Sequence, residues 1–118
     1  MERSGQNKRI EKSCRVLGKE LFLSALYLDR GVLITITGGD KSHIGAVTVA
    51  DETGVCSTIC LPGHRENVIT EQWAPVLYER LKEPVSITAG IHYDHVSKEE
   101  IGLILKAVGE MLEEICHL

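Results

Sequence analysis

An α+β fold, a two-layer sandwich with both helices on one face of a single sheet, is what this sequence predicts. Three observations carry it. The first half alternates short β-branched and aromatic runs with glycine-bearing turns. One further strand-like run follows a helical stretch interrupted by proline. The chain closes on a long apolar stripe at helical spacing. The order reads ββββαβα, strands first and helices late, as α+β domains do.

The elements follow in chain order. Residues 1–13, MERSGQNKRIEKS, are almost devoid of apolar side chains and read as a flexible tail. Residues 14–118 then form one domain. ELFLSALYLD (20–29) and VLITIT (32–37) are strands joined by a hairpin turn at Asp29-Arg30-Gly31. IGAVTVAD (44–51) and VCSTICL (55–61) are two more, turning at Thr53-Gly54. Together these runs predict a four-stranded antiparallel meander. Pro62-Gly63 breaks the pattern, and a helix lies within 66–82, with Trp73, Val76, Leu77 and Leu81 as its apolar stripe. Pro75 means that this helix starts there or kinks. VSITAGIH (85–92) is the fifth strand. Ser97 and Glu100 form a capping box for the last helix, whose core stripe is Ile101, Ile104, Leu105, Val108, Met111, Leu112 and Ile115.

The sheet face away from the helices is expected to carry Thr35, Thr37, Thr48, Ser86 and Thr88 beside Phe22, Leu26 and Leu33. That mixture fits a solvated face or one stacked against a second copy.

Bulk properties narrow the function. A net charge of −4 lacks the basic excess of a nucleic-acid binder. No apolar run reaches membrane-spanning length and the N-terminus has no signal-peptide pattern, so a cytoplasmic protein without membrane contact is expected. Cys14, Cys56, Cys60 and Cys116 form no CxxC pair, and four residues of strand separate Cys56 from Cys60 too widely for a disulfide.

Topology brings three loops to one edge. If the second strand ends at the top, the fourth and fifth end there too. GGDKSH (38–43), PGHREN (62–67) and HYDH (92–95) then share that edge. They hold four of the five histidines, together with Asp40, Lys41, Arg65, Glu66, Asn67 and Asp94. Rigidly mounted loops are where function concentrates.

TGGDKSH resembles a phosphate-binding loop without being one. A P-loop needs glycine directly before its Lys-Ser pair and a helix after it; here Asp40 precedes Lys41 and a strand follows. Gly38-Gly39 are explained either by an anion-accepting backbone nest with Lys41 beside it or by a tight turn. The histidines are of a type that binds zinc or iron. No HExxH-like spacing calls for a resident metal, and the sequence weighs against one. No nucleophile elbow is present either. A small metal-dependent hydrolase or lyase using His43, His64 and His92 is the catalytic alternative.

LITITGGDKSHIGAVTVA (33–50), LPGHREN (61–67) and AGIHYDHVSKEEI (89–101), in that order, resemble the prenylated-flavin chaperone-like family of the LpdD type, over roughly residues 15–116. Proteins of that family accompany UbiD-class aromatic-acid decarboxylases, and their fold is similar to that of proteasome-assembly chaperones. The resemblance implies an accessory role rather than catalysis, a homodimer, a decarboxylase partner, and prenylated FMN bound or handed over. The matching positions are Gly38, Gly39, Asp40, Lys41, His43, His64, Arg65, Glu66, His92 and Asp94. Of these, Lys41 and Arg65 suit a flavin phosphate.

Overall fold

A computed structural model describes residues 8–117. Six strands form one sheet, β1 (Lys8–Val16), β2 (Lys19–Tyr27), β3 (Val32–Gly39), β4 (Lys41–Ala50), β5 (Cys56–Cys60) and β6 (Val85–His92). Two helices pack on one face, α1 (Asn67–Leu81) and α2 (Lys98–Cys116).

Two corrections to the sequence reading concern the sheet. Residues 8–13, expected in the tail, belong to β1, which pairs antiparallel with β2 from Lys8↔Tyr27 to Val16↔Lys19. Its alternation is masked by charge. Ile10, Cys14 and Val16 turn toward the core beside Lys12, whose ammonium reaches Glu114 of α2 at 2.8 Å. Residues 1–7 of the expected tail lie outside the described residues. The four expected strands are present, but they are not a continuous meander. Strand order is β1-β2-β3-β6-β4-β5, so β6 separates β3 from β4. It runs parallel to β3 and antiparallel to β4. Every second residue of β6, from Val85 through Ile87 to Ala89, is buried, which a central strand favours.

The helical layer buries one face of that sheet. Leu21, Leu23, Ile34, Ile36 and Ile87 meet Leu77 of α1 and Val108, Leu112 and Ile115 of α2, all essentially inaccessible. Ser97 caps α2 as predicted, its hydroxyl accepting from the Glu100 amide while the Glu100 carboxylate accepts from the Ser97 amide. Helix α1 runs through the exposed Pro75 rather than starting there. Its inward face is Ile69, Thr70, Ala74 and Leu77, with Trp73 and Leu81 at the margin.

Thr48 is the third correction. It faces the helices, not the outer face, and is fully buried. Its hydroxyl donates to Thr70 of α1 at 2.8 Å and lies 2.8 Å from the Thr58 hydroxyl of β5, so no polar group is stranded. Alternation therefore turns Val47 and Val49 outward. The outer face is more apolar than expected. Phe22, Leu33, Val49 and Ile59 are 51%, 43%, 43% and 66% exposed, around the partly exposed Leu26 and Val47. No described helix is long and apolar enough to cross a membrane.

Candidate functional site

β3 and β6 run parallel and end together, with Gly39 opposite His92. The three predicted loops therefore do converge. What aims their side chains is an irregularity in β4. Ser42 pairs with Ile91 and Ala46 with Ala89, so His43, Ile44 and Gly45 bulge opposite the single residue Gly90. Bulges commonly re-aim a side chain at the rim of a sheet. Gly90 is required there, because a β-carbon at that position would collide with the His43 carbonyl. Gly45 leaves room for the Glu66 carboxylate, which a β-carbon there would displace.

Glu66 is the buried centre of the site. It stands at the N-cap of α1 but does not cap that helix with its side chain. Its carboxylate turns to the sheet instead. Oε2 lies 2.5 Å from His43 Nε2 and accepts from the Ile91 amide at 3.2 Å. Oε1 accepts from the Arg65 amide at 3.1 Å and lies 3.6 Å from His64 Nδ1. The His43 and His64 rings are 4.5 Å apart between centroids. A carboxylate held by two backbone amides keeps its orientation, and a nearly buried one requires such partners.

A second latch ties the outer rim. The Asp94 amide donates to Asp40 Oδ2 at 2.9 Å, and Lys19 Nζ lies 3.2 Å from Asp40 Oδ1. The amide bond, then Lys19, holds the Asp40 carboxyl below its usual range. His92 Nε2 pairs with Asp94 Oδ1 at 2.8 Å, and its ring stands 6.4 Å from that of His43. The Asp40 amide donates to the His92 carbonyl, so that amide is not free to join an anion nest. Gly38 and Gly39 pair with Ile91 and His92 inside the sheet. Lys41 and Arg65 are exposed.

Beside this polar edge opens a mostly apolar groove of about 380 Å³ between the starts of α1 and α2 and the end of β6. Val68, Ile91, Tyr93, Val96, Ile101 and Leu105 line it, and Arg65 and Glu66 are shared with the polar edge. Ile101 and Leu105, expected in the core, are 44% and 38% exposed at its wall. Burial pushes the Tyr93 phenol up from its ordinary value, and its hydroxyl donates to the Val16 carbonyl.

The sequence reading placed His43, His64 and Glu66 together in one cofactor-binding set but did not foresee their mutual contact. It paired His43 and His64 with His92 as the alternative ligand set; the structure pairs them with Glu66 instead. It missed Lys19, which acts through Asp40, and Gly45 and Gly90, whose only signal was glycine inside a strand.

The chain's residues 16–118 match the family model described as the prenylated flavin chaperone LpdD-like domain. The chain belongs to this family. Protein LpdD of Lactiplantibacillus plantarum is 32% identical over 89 residues, which span 71% of this chain and 65% of that protein. Among solved structures, a chain of a chaperone complex for yeast 20S proteasome assembly superposes with a TM-score of 0.54 at 18% identity, covering 92% of this chain and 96% of that one. That likeness concerns the fold alone. The family's description gives an accessory, chaperone role connected with prenylated flavin.

Two outcomes test the geometry. Gly90→Ala drives a methyl into the His43 carbonyl, so the bulge must shift. A stability loss of about 2 kcal/mol or more is expected in urea denaturation, with the Ile91 amide losing its protection from exchange. An unchanged midpoint and a protected Ile91 amide would show that the bulge is not fixed by Gly90. Asp40 is held below its usual range when folded, so its latch is complete above about pH 4 and is lost as pH falls through that lower folded value. The Asp94 amide resonance should therefore titrate with a midpoint below about 3.9. A midpoint above it, or the same titration in Asp40→Asn, contradicts the assignment.

Proposed function

We propose that this protein binds prenylated FMN at the three-loop edge and holds it for, or hands it to, a UbiD-like decarboxylase without catalysing the decarboxylation. The observation that carries this reading is the joining of an apolar groove to a polar edge through Arg65 and Glu66. A prenylated flavin has the same division, a flat apolar ring system and a phosphate tail. The groove's size suits partial burial of such a ring. Lys41 and Arg65 supply cations for the phosphate, and the histidines supply hydrogen-bonding groups at the ring's polar margin. Family membership supports the cofactor; the decarboxylase partner follows from the resemblance of the three motifs.

A homodimer completes the reading. The outer face exposes Phe22, Leu33, Val49 and Ile59 on the side of the sheet opposite the groove. A second copy stacked there would cover these side chains and leave both grooves open.

Fluorescence titration of the folded protein with prenylated FMN tests the first part. Saturable micromolar binding is expected, weaker by at least tenfold in a Lys41→Ala/Arg65→Ala double variant and for plain FMN in an Ile101→Glu variant. No binding by the folded protein would remove the cofactor site and leave a surface that grips an enzyme directly. Light scattering tests the second part. A dimer mass is expected for the native chain and a monomer mass for Leu33→Lys/Val49→Lys; a native monomer at tens of micromolar contradicts the stacking.

A further inference from the structure

We infer that His43, His64 and Glu66 bind one divalent transition-metal ion of the zinc type. Among the described residues, these three alone offer such a cluster, with one ligand atom from each and all within 4.8 Å of one another. The two imidazoles approach opposite oxygens of Glu66, His43 Nε2 at 2.5 Å from Oε2 and His64 Nδ1 at 3.6 Å from Oε1. Tetrahedral zinc with bonds near 2.0–2.1 Å sets its ligand atoms about 3.4 Å apart. With every ligand-atom separation within 4.8 Å, movements of about 1.4 Å or less bring the set to that spacing, and both imidazoles are partly exposed and able to make them.

Three further features fit a metal centre. The carboxylate is oriented by the Arg65 and Ile91 amides, the outer-shell support that ligating groups usually receive. The bulge and Gly45 hold His43 and Glu66 together through backbone, not through flexible loops. Local charge fits as well, since a cation bound against a nearly buried carboxylate compensates its charge. Two imidazoles and one carboxylate fill three positions of a tetrahedron. The fourth stays open, as in sites whose metal takes a ligand rather than closing a fold. A two-charge ion on one carboxylate keeps positive charge, so the class of ligand it would take is an anionic oxygen, such as a phosphate or carboxylate.

The inference stands apart from the cofactor reading, because the test contains no flavin. The full chain, stripped with a chelator, is titrated with Co²⁺ and followed by its visible d–d bands, then by competition with Zn²⁺. One equivalent per chain is expected, with bands of tetrahedral or five-coordinate intensity that shift when inorganic phosphate is added. Binding should weaken at least tenfold in His64→Ala, whose side chain is partly exposed and whose loss spares the core, and in Glu66→Gln. His117→Ala, remote from the cluster, should bind as the native chain does. Circular dichroism confirms that each variant is folded. No cobalt signal at millimolar metal, or equal binding by folded His64→Ala and the native chain, overturns the inference. Equal weakening in His117→Ala does the same, because it would reveal only surface imidazole chemistry.

Discussion

The contact between the Glu66 carboxylate and the β4 bulge is the constraint on which the upper edge depends. Three residues of β4 oppose one of β6, and this is possible only because that one is Gly90. The extra length swings His43 toward the start of α1. Gly45 leaves the space into which Glu66 reaches. A β-carbon at Gly90 would force the backbone of the bulge to move, and one at Gly45 would push the Glu66 carboxylate aside. The convergence of the loops is thus a matter of backbone packing and not of mutual attraction between charged side chains, which at a surface is worth little.

This arrangement sets local stability against function. A side chain at an N-cap ordinarily satisfies the free amides of its own helix. Glu66 instead serves the sheet and the Ile91 amide, so α1 begins without a side-chain cap. The helix also carries Pro75 in its interior, at the loss of a backbone hydrogen bond. Packing supplies what propensity does not. Leu77 and Ala74 are fully buried, and Thr70 bonds to Thr48 across the layer boundary. Helix α2 shows the opposite balance, a complete capping box and a regular apolar stripe, and none of its residues belongs to the polar edge.

Legibility in the sequence divided along the same line. Strong periodicity and local capping rules identified α2, β6 and the hairpin runs, because those signals are contained in a few neighbouring residues. The common edge was also legible, since alternating strand directions fix it without any knowledge of strand order. The position of β6 was not, because insertion between β3 and β4 depends on which edges remain open after the hairpins form. β1 escaped notice because charged and polar residues fill its outer face and Lys12 interrupts the apolar run of its inner one. Thr48 was assigned to the wrong face because a buried threonine is recognisable only through its partners, Thr58 and Thr70, which lie on other elements. Gly45 and Gly90 read as weak points in strands; their purpose appears only when β4 and α1 are laid against β6.

The proposed function requires the three loops to act as one binding surface. Backbone amide chemical shifts recorded while prenylated FMN is added would test it most directly. Shifts are expected to cluster at 38–43, 64–67 and 90–94, with Val68, Ile101 and Leu105 following from the groove, and to saturate along one curve. Shifts confined to one loop, or centred on Phe22, Leu33 and Val49 of the outer face, would contradict it.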